Sequence, residues 1–107
     1  MTNIAPTELA AWLADTARPQ PVLLDVRQAW EHETCKLAGS RLVPMNEVPA
    51  RLAELDPQAE TVVICHHGGR SAQVAQFLER QGFGRVFNLA GGVDAWARSV
   101  DRAMPVY

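Results

Sequence analysis

Val62-Val63-Ile64-Cys65-His66-His67-Gly68-Gly69-Arg70-Ser71 is the stretch whose reading decides the fold. Its apolar start reads as a buried strand that ends on a cysteine. A glycine-bearing loop follows, and then a helix from about Ser71 to Gln81 with Val74, Phe77 and Leu78 facing the core. A thiol at a strand end, just before a helix N-terminus, lies where backbone N–H groups converge and favour a thiolate. Cys65 is therefore the candidate nucleophile. Gly68 and Gly69 permit positive φ, which turns successive N–H groups inward as an anion nest, and Arg70 adds a cation. No acidic residue occurs from Thr61 to Leu78, so nothing in that segment opposes a negative charge.

Working outward, the same alternation of strand and helix recurs. Pro6-Thr7-Glu8 opens a helix carrying Leu9, Trp12 and Leu13 on one face. Arg18-Pro19-Gln20-Pro21 breaks it before Val22-Leu23-Leu24-Asp25-Val26, which is apolar apart from Asp25, as expected of a central parallel strand. A short helical piece spans Gln28 to Thr34, and Leu42-Val43-Pro44 is a brief strand. Asn46 is placed to cap a further helix with Val48, Leu52 and Leu55 as its stripe, ended by Asp56-Pro57. Gly82 stops the helix after the cysteine loop. Arg85 to Leu89 reads as another strand, and Gly91-Gly92 opens a last helix with Val93, Trp96 and Val100 on one side. The pattern predicts an α/β fold over residues 1–107, a single domain with a central parallel sheet of about five strands and helices on both faces. Ligands in such sheets sit outside the carboxyl ends of the strands, the edge on which Cys65 falls.

Composition sets the outer limits. The 107 residues suffice for one domain with a real core, and 48% apolar against 21% charged residues is ordinary globular composition. A formal charge of −2 without a basic cluster gives no footprint for nucleic acid or an anionic membrane. No apolar run approaches a membrane span, and Met1 to Pro6 has no signal-type character, which makes the cytoplasm the default. In that reducing compartment at least one of the two cysteines is expected to be a chemical group rather than half of a disulfide.

Cys65-His66-His67-Gly68-Gly69-Arg70-Ser71 resembles the active-site loop of the rhodanese sulfurtransferase family, with cysteine first and arginine last in a six-residue loop. Asp25-Val26-Arg27, followed by Glu31, is similar to the family's early Asp-Val-Arg signature. Phe83 to Trp96, with Gly91-Gly92-Val93-Asp94-Ala95-Trp96 at its end, is similar to its C-terminal Gly-Gly-x-x-x-Trp segment. One departure follows Glu31, where the family's glycine and histidine are replaced by Cys35 and Lys36. The resemblance implies sulfur transfer by double displacement. Cys65 would take sulfane sulfur from a small-molecule donor such as thiosulfate or a persulfide. It would then pass that sulfur to a thiophilic acceptor, cyanide or a thiol, or to a protein acceptor. No metal and no organic cofactor is implied.

Each side chain also has a plainer role. His66 and His67 either polarise the donor or form loop surface, the former preferred. Adjacent Cys65, His66 and His67 lack metal-ligand spacing. His66 through Ser71 line the donor site by this reading, and Arg70 attracts an anionic donor. Asp25 and Arg27 read as a structural charged pair beneath the loop, Cys35 as incidental, and Trp12, Trp30 and Trp96 as core or partial core. Gly91-Gly92 reads as a tight turn with close backbone approach. Two other functions compete. Cysteine phosphatases and arsenate reductases also use a cysteine-to-arginine cradle, but with five intervening residues, whereas His66 to Gly69 supplies four. The other is a carrier or docking module that delivers sulfur to a protein.

Overall fold

The computed structural model describes residues Met1–Tyr107. Five parallel strands form one sheet in the order β1-β5-β4-β2-β3. They are β1 (Thr2–Ile4), β2 (Val22–Asp25), β3 (Arg41–Leu42), β4 (Thr61–Ile64) and β5 (Val86–Leu89). Four α-helices complete the fold: α1 (Pro6–Ala14), α2 (Ala29–Thr34), α3 (Gly69–Arg80) and α4 (Gly92–Ser99). None is long and apolar enough to cross a membrane.

Strand alternation sorts the core into two layers. Val62 and Ile64 of β4 point into one, with Leu9 and Trp12 of α1 and Val93 and Trp96 of α4. Val63 and Cys65 point into the other, with Val74, Ala75 and Leu78 of α3. Helices thus cover both faces, which is why β4 is buried along its whole length. Each fully buried valine or leucine here contributes about 1.5–3 kcal/mol of transfer free energy. β4 is paired on both sides, Val63 lying beside Leu24 of β2 and Asn88 of β5. Cys65 therefore leaves the centre of the sheet at its carboxyl edge.

Several expectations are corrected. The helix expected after Asn46 is replaced by two 3-10 turns, Met45–Glu47 and Leu52–Glu54, and Asn46 lies inside the first turn instead of capping a helix. Pro49 interrupts the ladder: it has no N–H to bond to the preceding turn, although Val48 before it keeps helical backbone angles. Val48 still reaches the core, so the apolar stripe survives without the helix. β1, three residues at the sheet edge, has no counterpart in the sequence reading; Ile4 pairs with Leu89 and anchors the core. Val100 is exposed and caps α4 instead of extending its buried face. Trp30 is 61% exposed, whereas Trp12 and Trp96 are buried. The helix after the loop starts at Gly69, two residues earlier than expected.

Candidate active site

Cys65 follows the last residue of β4 and is only 1% exposed. Its Sγ accepts the Gly68 N–H at 3.0 Å and lies 3.2 Å from Ser71 Oγ. The loop can fold back this far because Gly68 adopts φ +102°, a left-handed conformation that glycine takes without steric cost. Gly69 differs from expectation: it is not in the positive-φ region and serves as the first residue of α3. Of the amides expected to converge on sulfur, that of Gly68 makes the hydrogen bond.

Behind the sulfur runs a buried polar chain. Ser71 donates its hydroxyl to Asn88 Oδ1, and Asn88 Nδ2 donates to Asn3 Oδ1 at 3.0 Å and to the Gly68 carbonyl at 3.3 Å. Both Nδ2 partners are acceptors, which fixes the Asn88 amide with its oxygen toward Ser71. The Ser71 proton is thereby committed, and its lone pairs face the thiol. Ser71 is fully buried, so its part is to support Cys65 from below rather than to line the donor site.

The loop is roofed from the other side by α4. Val93 N–H donates to the Cys65 carbonyl at 2.9 Å and Asp94 N–H to the His66 carbonyl at 3.1 Å. This contact requires glycine at position 92: a Cβ there would lie 2.3 Å from Cys65 O and 2.4 Å from His66 O. Close backbone approach is thus the role of Gly91-Gly92, and the first free amides of α4 are spent on the loop rather than on an anion.

Arg70 is engaged by a carboxylate of α2. It forms a two-pronged pair with Glu31 of α2, Nη1 to Oε1 at 2.7 Å and Nη2 to Oε2 at 2.8 Å. Glu31 also accepts the Gln28 N–H at 2.9 Å and the Tyr107 hydroxyl at 2.8 Å. Arg70 above all, despite the opposing effect of burial, holds the Glu31 carboxyl down at about 2. Tyr107 receives a bond from Arg27 Nη1 at 2.9 Å, and burial pushes its hydroxyl up to about 12. Arg27 is fully buried and grips Asp25 through Nε at 3.0 Å and Nη2 at 2.7 Å. It also donates to the Glu31 and Cys35 carbonyls at 3.2 and 2.6 Å, tying the end of β2 to α2. Burial alone would lower the Arg27 guanidinium, yet its bonds to Asp25 and Tyr107 raise it.

His66 is sandwiched between Tyr107, stacked at 3.8 Å with 5° between planes, and His67, at 3.8 Å with 32°. Burial, and then His67, lower the His66 imidazole below its ordinary value. Its Nε2 is buried without a hydrogen-bond partner. His66, His67 and Asp94 bring donor atoms within 4.8 Å of one another. Both cysteines are free thiols, and Cys35 is buried with its Sγ 3.7 Å from Arg27 Nη1.

Sequence reading missed Tyr107, Asn88 and Glu31 as parts of this site. Glu31 stands in the sequence only as part of a signature, and its partner lies 39 positions away, while Tyr107 is 76 positions from Glu31. The one local signal was Gln28-x-x-Glu31, the spacing of a carboxylate that reaches back to a helix start.

Comparison with known proteins bears on the family and the fold. Residues 5–99 match the family described as the rhodanese-like domain. The chain belongs to the rhodanese-like family. A sulfurtransferase of Allochromatium vinosum is 36% identical over 98 residues, covering 92% of this chain and 90% of that protein. The chloroplastic rhodanese-like/PpiC domain-containing protein 12 of Arabidopsis thaliana is 39% identical over 89 residues. That match covers 79% of this chain but spans only 30% of the plant protein's length. A rhodanese-like domain protein of Staphylococcus aureus superposes with a TM-score of 0.84 at 28% identity, over 100% of this chain and 99% of that one. The single α/β rhodanese-like sheet expected from the sequence is the fold observed.

Proposed function

We propose that this rhodanese-like domain is a sulfurtransferase that carries sulfane sulfur on Cys65. The observation that carries the reading is the seat of Cys65 Sγ, which leaves the centre of the sheet against the Gly68 N–H at 3.0 Å beside the start of α3. An amide donor and a helix N-terminus both favour the thiolate that attacks and the persulfide anion that results. The Cys65 thiolate attacks the sulfane sulfur of thiosulfate or a persulfide. The donor's S–S bond breaks, its electron pair leaves with sulfite or a thiolate, and Cys65–S–S⁻ remains. Cyanide or an acceptor thiol then takes the outer sulfur and returns the Cys65 thiolate.

The spacing of the cradle supports this over phosphate or arsenate chemistry. Four residues separate Cys65 from Arg70, one fewer than in the cradles of those enzymes, and the Arg70 fork pairs with Glu31. A ring one residue shorter makes a tighter cavity, suited to a single sulfur atom rather than to three equatorial oxygens. A protein acceptor is the second reading. It is favoured by Trp30, which is 61% exposed and packs edge-on against Tyr107 beside the loop, where a partner could dock. Steady-state thiocyanate formation tests the proposal. Parallel double-reciprocal lines with donor and cyanide varied are expected, with activity abolished in Cys65→Ser. Hydrolysis of an aryl phosphate without thiocyanate formation would overturn it.

A further inference from the structure

The Gly68 N–H closes a turn on Cys65 Sγ at 3.0 Å, and His66 and His67 are the two residues between. Both ends of this turn are held. Cys65 follows the last residue of β4, and the Gly68 carbonyl accepts Asn88 Nδ2 at 3.3 Å. The middle has one backbone tie, from the Asp94 N–H to the His66 carbonyl at 3.1 Å.

Aromatic rings supply the rest. Tyr107, His66 and His67 form a stack of three, Tyr107 on His66 at 3.8 Å with 5° between planes, and His66 on His67 at 3.8 Å. His66 Nε2 makes no hydrogen bond and His67 is exposed, so the anchor of the stack lies at its other end. The Tyr107 hydroxyl accepts from Arg27 Nη1 at 2.9 Å and donates to Glu31 Oε2 at 2.8 Å. Arg27 and Glu31 are both buried, and bonds to charged partners are the strong ones. Burial pushes the Tyr107 hydroxyl up to about 12, so it keeps the proton it donates to Glu31 at neutral pH. Trp30 meets the same ring edge-on at 5.7 Å. Tyr107 is therefore a fixed plate against which the turn leans.

We propose that Tyr107 is a positioning residue for sulfur transfer: through its stack on His66 it holds the turn in the shape that brings the Gly68 N–H to Cys65 Sγ. The inference rests on the reading of Cys65 as the sulfur carrier. Tyr107 lies beyond residues 5–99, the part of the chain that matches the family, so this support comes from the segment after α4. It acts through His66 on the direction of one amide. That amide stabilises the attacking thiolate and the persulfide anion alike, so a looser turn slows the loading of sulfur.

Two substitutions separate the ring from its hydroxyl. Tyr107→Leu removes both, whereas Tyr107→Phe loses the bonds to Arg27 and Glu31 and keeps the stack. The readouts are single-turnover loading from cysteine persulfide, followed by intact mass, and the Gly68 amide resonance in a proton–nitrogen correlation spectrum. Tyr107→Leu is expected to load about tenfold more slowly, the size of one hydrogen bond to a charged group, with the Gly68 proton moving upfield. Tyr107→Phe should restore most of the rate and hold the Gly68 resonance near its wild-type position, although both variants melt at lower temperature. His66→Leu removes the stack from the other side, with the Tyr107 hydroxyl bonds intact, and should move Gly68 as Tyr107→Leu does. A wild-type rate and an unmoved Gly68 resonance in Tyr107→Leu or in His66→Leu would overturn the proposal. Equal losses in Tyr107→Phe and Tyr107→Leu would also overturn it, by assigning the effect to the hydroxyl network. A wild type that takes up no sulfur, with Gly68 still displaced in Tyr107→Leu, would overturn the sulfurtransferase reading and leave the hold of Tyr107 on the turn standing.

Discussion

At the scale of single residues, the chemistry depends on which groups hold Cys65 Sγ. The Asn88 amide is fixed by two acceptors, commits the Ser71 proton and leaves Ser71 to accept from the thiol. Asn88→Ala frees the Ser71 hydroxyl to turn and donate to sulfur. We predict faster alkylation of Cys65 by iodoacetamide at neutral pH, alongside a loss of about 1–3 kcal/mol of stability from the broken buried network. An unchanged alkylation rate would remove Ser71 from the sulfur's environment. Cys35→Ser should leave sulfur transfer nearly intact, because its Sγ touches Arg27 and a serine oxygen can accept the same bond. A large loss of turnover would promote Cys35 to a working thiol. Cys65 was legible because its signal is contiguous: strand, thiol, glycines and helix within ten residues. Its supports were not, since Asn88 and Tyr107 reach the site only through the sheet and the return of the chain.

At the scale of elements, the loop is a joint between β4, α3 and α4. Its shape depends on Gly92 as much as on its own glycines. Gly92→Ala places a Cβ 2.3 Å from Cys65 O at φ +59°, so α4 must move or the loop must open. We expect a destabilisation above about 3 kcal/mol in urea melts, with slower sulfur loading in the fraction that still folds. Near-wild-type stability would show that the α4 contact does not hold the loop. The long periodic elements were readable because their apolar spacing is dictated by a sheet covered on both faces. The segment after Asn46 was not. Its apolar stripe resembles that of a helix, and Pro49 interrupts the ladder between two short turns while Val48 stays in the core. β1 was missed for a similar reason, since an edge strand of three residues carries no periodicity to detect.

At the scale of the molecule, the Glu31–Arg70 pair links α2 to the loop and makes the fold sensitive to acid. Glu31 titrates at about 2 in the folded chain against an ordinary 4.5. A depressed carboxyl contributes stability that is present above its unfolded value and lost as pH falls through the folded one. Between pH 4.5 and 2 the wild type should therefore lose on the order of 2–3 kcal/mol through this group, discounted for the half-exposed Arg70. Urea midpoints across that window should fall less steeply in Glu31→Gln, and identical slopes would show that the pair contributes nothing. The sheet, its two apolar layers and the placement of Cys65 at the carboxyl edge followed from the order of strands and helices along the chain. The pairing of charges around the loop did not, because it joins residues far apart in sequence. Intact-mass analysis of the protein exposed to cysteine persulfide, followed by peptide mapping and then cyanide, tests the central claim most directly. The account predicts one added sulfur atom, on Cys65, removed by cyanide and absent from Cys65→Ser. Uptake at another residue, or no uptake by wild type, would contradict it.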